Sequence, residues 1–157
     1  MKRIFFFLSF AIAAATMSAQ NILGFNFGMT LDEASEVEVD CDSVVVDEET
    51  NTFLFLNVEY KGNDYDLLVV LFDDEGKLST ISLGTEVSNL EEGAALQKKI
   101  IGNSMVIDSF DDPDMSGARL YYVDDTGDDN PEYILSIVSD DDDGTLSVVA
   151  TYPRDWE

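Results

Sequence analysis

Residues 65–82 read Y-D-L-L-V-V-L-F-D-D-E-G-K-L-S-T-I-S, and this stretch decides the fold that we expect. Its two arms are rich in β-branched and aromatic residues, and between them lies the acidic turn Asp73-Asp74-Glu75-Gly76. Strand-forming residues on both sides of a polar turn that contains glycine are typical of a β-hairpin. The stretch therefore predicts two antiparallel strands.

The same pattern returns in the second half of the chain. Residues 133–150 read Y-I-L-S-I-V-S-D-D-D-D-G-T-L-S-V-V-A. At a constant offset of 68 residues, Tyr65 aligns with Tyr133 and Gly76 with Gly144, and the match runs for 18 residues without a gap. Acidic hairpin turns share some of this pattern by chance. The length of the match nevertheless favours an internal duplication.

Two helix signals precede the two sets of strands. Residues 30–33 and 88–91 both have the Ser/Thr-x-x-Glu spacing of a capping box,. We expect a short helix over 31–37 and a second helix that stops at Gly102. Eight predicted strands follow these helices, at 43–46, 52–60, 65–72, 77–83, 104–110, 119–123, 133–138 and 145–152. The sequence therefore predicts the α+β class, with an antiparallel sheet, two helices on one face, and two similar helix-plus-meander halves at about 23–84 and 88–152.

The first nineteen residues have the layout of a secretory signal peptide. Lys2 and Arg3 precede an apolar run over 4–15, and the small residue Ala19 stands at the expected cleavage point,. The run is shorter than the roughly 20 residues that span a bilayer. We therefore expect a signal peptide at 1–19, a single α+β domain at 20–157, a secreted or periplasmic location, and no membrane insertion after cleavage.

The charge of the chain excludes several partners. Loss of Lys2 and Arg3 leaves six of the eight basic residues against 33 acidic ones, a net charge of −27. Nucleic-acid recognition depends on basic side chains that neutralise phosphates, so we expect no nucleic-acid partner. The many Val, Leu, Ile, Phe and Tyr residues indicate a folded domain with an acidic surface.

Two residue counts limit the chemistry. The chain has no histidine, which excludes Ser-His-Asp and Cys-His catalysis as usually built and imidazole-ligated zinc,. Cys41 is the only cysteine, so we expect no intrachain disulfide, and this thiol is either buried or available for an intermolecular bond,. These counts predict a protein that is not an enzyme.

Acidic loops are the candidate metal sites. The loop 124–130 is long enough to fold around an ion, and we expect no cofactor other than calcium there, with Asp124, Asp125, Asp128, Asp129 and Asn130 as ligands. The run 140–143 is a solvated hairpin tip by the simpler interpretation, since charged tips keep strand edges from pairing with other chains.

Residues 23–30, L-G-F-N-F-G-M-T, carry a family resemblance. They resemble the opening of small secreted proteins of Bacteroidota-type bacteria. The layout of the whole chain is similar to the tandem α-β repeat of the β-lactamase inhibitor proteins and of small outer-membrane assembly lipoproteins. This resemblance implies an exported repeat protein. The chain lacks the paired cysteines of the inhibitors and the lipid-bearing cysteine of the assembly proteins.

These observations lead to three functional hypotheses. The first is an exported, non-catalytic binding or protein-interaction module that contacts a protein or another ligand through its sheet surface or its acidic loops. The alternative is a calcium-stabilised cell-envelope protein. A second alternative is a small hydrolase that uses two carboxylates.

Overall fold

The computed structural model describes residues 21–156. The predicted signal peptide at 1–19 lies outside the described residues. The elements follow one another along the chain as β1 (Asn21–Ile22), β2 (Phe25–Asn26), α1 (Leu31–Ser35), β3 (Ser43–Asp47), β4 (Thr52–Tyr60), β5 (Asn63–Phe72), β6 (Leu78–Val87), α2 (Leu90–Ile101), β7 (Met105–Asp111), β8 (Arg119–Asp124), β9 (Tyr133–Ser139) and β10 (Leu146–Pro153).

The last eight strands form one antiparallel sheet with the order β3-β4-β5-β6-β10-β9-β8-β7. Each half of the chain supplies four consecutive strands, and the final strands of the halves, β6 and β10, pair at the centre with Leu83 opposite Ala150. Among the described residues, 50% lie in strands and 12% in helices. The predicted α+β class is therefore wrong, and the protein is mostly β.

The helices are short for local reasons. At α1 the capping box forms as predicted, because Thr30 Oγ1 accepts the Glu33 N–H at 3.2 Å and Glu33 Oε2 accepts the Thr30 N–H at 2.8 Å. The helix ends at Ser35 rather than at residue 37. Apolar and acidic residues alternate directly after it, with Val37 and Val39 half-buried between exposed acids. That alternation has the period of extended chain.

Helix α2 begins one residue later than the sequence predicts. The N-cap is Asn89, whose Oδ1 accepts the Glu92 N–H at 2.9 Å, while the Ser88 N–H donates to the Glu92 carboxylate at 2.8 Å. The two capping hydrogen bonds of α2 therefore join Glu92 to two different residues, Asn89 and Ser88. The prediction of Ser88 as the N-cap, with Glu91 as its partner, is wrong. Asn89 and Glu92 have the same three-residue spacing, and asparagine is as good an N-cap as serine, so the sequence alone does not distinguish the two pairs.

The core lies on one face of the sheet, which we call the covered face. Its buried side chains come from all the central strands and include Phe55, Leu68, Leu83, Leu135 and Val148. Phe25 of the N-terminal hairpin joins them through a ring contact with Phe55 at 5.6 Å between centroids. The hairpin and both helices therefore close the core from one side.

Helix α2 packs closely against the covered face over strands β6, β9 and β10. Gly93 makes this approach possible, since a Cβ at that position would lie 2.8 Å from Ile137 Cδ1. One turn later the buried Gln97 donates from Nε2 to the Arg119 carbonyl at 3.0 Å and to the Leu135 carbonyl at 3.4 Å. These contacts fix the C-terminal end of α2 over strands β8 and β9.

The opposite face of the sheet, which we call the open face, has no helix among the described residues packed on it. Leu67, Val69 and Val149 lie there half-buried, and Gly84 leaves the central strand without a side chain between them. Neighbouring side chains such as Val138 are exposed. The open face is therefore a partly apolar surface that solvent reaches.

Candidate functional site

The acidic loop between β8 and β9 is organised by a buried carboxylate. Asp124 is 1% exposed, and its Oδ1 accepts N–H bonds from Thr126 at 2.8 Å and Gly127 at 2.6 Å. Its Oδ2 accepts the Asp129 N–H at 2.9 Å, and Asp129 adopts a left-handed conformation with φ 65°. The side chain of Asp124 thus holds the loop in a compact turn.

A second buried acid closes the loop from its far end. Glu132 is 6% exposed, its Oε1 accepts the Thr126 hydroxyl at 2.7 Å, and its Oε2 accepts the Asp125 N–H. Asp124, Asp128 and Glu132 each place a carboxylate oxygen within 4.8 Å of the others. Oxygen ligands of this kind suit a hard divalent cation.

Two of the five residues predicted as calcium ligands reach this cluster. Asp124 and Asp128 belong to it, whereas Asp125 points elsewhere, binding Lys61 Nζ at 2.7 Å and accepting the Ser104 hydroxyl. Asp129 and Asn130 contribute backbone N–H groups to neighbouring carboxylates, and the Asn130 side-chain amide donates to the Asp128 carbonyl at 3.2 Å. The predicted set therefore divides between two locations.

Sequence analysis missed Glu132, the third acid of the cluster. The one local signal for it was its position directly before the strand that begins at Tyr133, where the chain returns to the core.

Burial acts to raise the pKa of Asp124, but N–H bonds from Gly127, Asp129 and Thr126 outweigh it and lower that pKa below its ordinary value. Asp124 is therefore ionised at neutral pH, and the loop already satisfies both of its oxygens.

A groove on the open face offers a second candidate site. It has a volume of about 360 Å³, with Leu67, Val69 and Val149 along its floor and Gly84 at its centre. The Asp66 carboxylate accepts the Glu86 N–H at 2.8 Å and so lies at one end of the groove. The groove combines an apolar floor with one acidic end.

A neighbouring depression extends this groove towards the β9–β10 turn. It has a volume of about 380 Å³, shares Glu86 and Val138 with the groove, and adds Asp140 and Asp143. No Lys or Arg lines either depression among the described residues. Within residues 21–156, the combined surface therefore carries acidic side chains and no basic ones beside its apolar floor.

No protein-family model matches the chain, and no curated protein or solved structure matches it significantly. The resemblance to small exported repeat proteins therefore stays a prediction. Within residues 21–156, neither helix has the length and apolar character that a bilayer crossing requires.

Proposed function

We propose that this protein is an exported, non-catalytic interaction module that binds a basic protein segment on the open face of its sheet. The observation that carries the proposal is the groove over Leu67, Val69 and Val149, which is apolar on its floor and acidic at one end. Apolar contact supplies affinity to such a surface, while charge complementarity selects the partner.

The chemistry of the partner follows from the charge around the groove. Asp66 and Glu86 lie at the groove, and Asp140 and Asp143 line the adjoining depression. Outside residues 1–19 the chain carries 33 acidic side chains and six basic ones, so its long-range field attracts cations,. Residues i and i+2 of an extended peptide share a face, so a peptide that repeats two basic and two apolar residues presents both kinds of side chain to one surface.

The proposal is tested with two synthetic ten-residue peptides, one repeating Lys-Lys-Val-Val and the other repeating Glu-Glu-Val-Val. Fluorescence anisotropy at low salt is expected to show saturable binding of the lysine peptide alone. The variant Glu86→Lys reverses one exposed charge beside the groove and is expected to weaken binding about fivefold, for a change of about 1 kcal/mol.

A matched control makes the same charge reversal away from the groove. Glu75 is exposed in the β5–β6 turn, and Glu75→Lys is expected to leave the affinity within about twofold of that of the parent protein,. Equal effects of Glu75→Lys and Glu86→Lys, or equal binding of both peptides, would contradict a site on the open face.

Export is tested separately, because the interaction does not depend on it. Intact-mass measurement of protein purified from the native cells is expected to give a chain that begins near Gln20. Protein that keeps Met1 would contradict the exported part of the proposal.

The calcium-stabilised envelope protein is a second candidate. It is favoured because carboxylate oxygens of Asp124, Asp128 and Glu132 lie within 4.8 Å of one another. Thermal unfolding with millimolar calcium or with a chelator tests it, since a ligand that binds only the folded state raises the melting temperature. A calcium-dependent rise that Asp128→Asn removes would support this candidate. An unchanged melting temperature would eliminate it.

A further inference from the structure

A cleft of about 360 Å³ lies on the covered side of the sheet, away from the open face and its groove. The C-terminal end of α2 forms one wall through residues 99–102. The opposite wall comes from the β4–β5 turn and from strands β5, β9 and β10. Three buried tyrosines line it, namely Tyr65, Tyr133 and Tyr152, which are 3%, 1% and 5% exposed.

The hydroxyl groups of these tyrosines have no protein partner among the described residues. No hydrogen bond among residues 21–156 uses the hydroxyl of Tyr65, Tyr133 or Tyr152. Within the same residues, no side-chain nitrogen or oxygen is both fully buried and unpaired. Each of the three hydroxyls must therefore retain some accessible surface, and the cleft that the tyrosines line is where a ligand or water meets them. Buried tyrosines ordinarily find a hydrogen-bond partner, so this arrangement points to one supplied from outside.

Ring packing holds two of the three tyrosines together and places Tyr60 beside them. Tyr133 and Tyr152 stack with 4.9 Å between ring centroids, and Tyr60 meets Tyr152 edge-on at 6.3 Å. Burial raises the pKa of Tyr65 to about 12, and burial also raises the pKa of Tyr133 and Tyr152. All three hydroxyls therefore keep their protons at neutral pH and can donate hydrogen bonds.

The lining of the cleft contains more basic than acidic side chains, unlike the rest of the protein. Its lining contains Lys61 and Lys99 but a single acid, Asp125. Asp125 binds Lys61 Nζ at 2.7 Å and so holds that ammonium at the wall, where it lies 5.4 Å from the centre of the Tyr60 ring. The C-terminal end of α2 adds roughly half a negative charge. Together with Asp125 and the two lysines, this leaves the lining with a net positive charge of about half a unit,.

We propose that this cleft binds a small organic carboxylate with an apolar body. The carboxylate oxygens accept hydrogen bonds from the tyrosine hydroxyls and from the ammonium groups of Lys61 and Lys99. The apolar body packs against the tyrosine rings and against Ile100 and Ile101 of α2. Charge-assisted bonds from several donors in a partly enclosed site are what a compact carboxylate requires. This site is separate from the groove on the open face and does not depend on it.

Benzoate is the probe, and benzamide is its neutral counterpart of the same shape. Titrations followed by amide chemical shifts are expected to show saturable benzoate binding, with the largest shifts at Gly102, Asn103 and Ser104, which line the cleft. Benzamide is expected to bind at least tenfold more weakly, because it cannot make the charge-assisted bonds. Equal affinities for the two probes, or shifts spread over the open face, would overturn the proposal.

Two neighbouring lysines supply a matched pair of variants. Lys98 and Lys99 are both exposed on the last turn of α2, but only Lys99 lines the cleft. Lys99→Gln is expected to weaken benzoate binding about fivefold, whereas Lys98→Gln changes it less than twofold. Equal effects of the two variants would show that net charge alone attracts benzoate. Failure of benzoate to bind leaves the lysine-peptide test on the open face unaffected, so the two proposals fail independently.

Discussion

The contact between Gly93 and Ile137 sets how closely α2 approaches the sheet, and a pair of substitutions tests it. A Cβ built on Gly93 would lie 2.8 Å from Ile137 Cδ1 and 3.4 Å from Val87 Cγ2. Carbon atoms at their optimal separation are about 3.5–4.0 Å apart, so the Ile137 contact is too short by at least about 0.7 Å. The added methyl group of Gly93→Ala therefore forces the Ile137 side chain to move.

The expected magnitudes follow from these distances. Overpacking costs about 2 kcal/mol, and the better helix propensity of alanine returns about 1 kcal/mol, so Gly93→Ala alone destabilises by about 1 kcal/mol. Ile137→Val removes Cδ1 and costs about 1 kcal/mol by itself. In the double variant the new methyl group occupies the space that Cδ1 leaves, and the net change is about zero.

Urea unfolding of the parent protein, both single variants and the double variant measures this coupling. The double variant is expected to be about 2 kcal/mol more stable than the sum of the single effects, with no change in the denaturant slope. Additivity within about 0.5 kcal/mol would refute the placement of α2. It would also remove the wall that residues 99–102 give to the cleft.

Three further predictions concern the tyrosines, the acidic loop and a sheet edge. The free energy of unfolding is expected to fall as pH rises from about 10 to about 12, because Tyr65 has a pKa of about 12 in the fold whereas unfolded tyrosine ionises near 10. The urea midpoint of Tyr65→Phe should therefore decrease less over this pH range than that of the parent protein. The pKa of Asp124 is lowered in the fold, so the contribution of this carboxylate to stability is lost as pH drops below about 4. Acid unfolding followed by circular dichroism should therefore be shallower for Asp124→Asn than for the parent protein. The edge strand β3 exposes Val44, Val45 and Val46, so light scattering near pH 4.1, where the net charge vanishes, should show slower aggregation of Val45→Lys than of the parent protein.

Local sequence signals located most of the strands and their turns. The predicted strand at 52–60 coincides with β4, and the turn Asp73-Asp74-Glu75-Gly76 connects β5 to β6 through bonds from the Glu75 and Lys77 N–H groups to Asp73 Oδ1, both at 2.9 Å. Such signals act over a few residues, through backbone propensity and nearby side-chain bonds, and can be read without knowledge of the fold.

The fold class required knowledge of how far each element extends. A capping box marks where a helix begins, but α1 ends two residues before its predicted end, where apolar and acidic residues begin to alternate. Strands gained residues instead, because pairing across the sheet extends β6 to Val87, four residues beyond its predicted end. Together these differences made the protein mostly β.

By itself the sequence determined the hairpins, the start of α1, the acidic surface and the absence of histidine chemistry. Only the tertiary structure decided which side chains meet. Lys61 and Asp125 are 64 residues apart, and three strands separate β5 from β8 in the sheet, so their ion pair depends on how the whole chain packs over the covered face. Tyr65, Tyr133 and Tyr152 converge for the same reason. Contacts at such separations depend on strand order and register, which arise from the packing of the whole core rather than from any local stretch of residues.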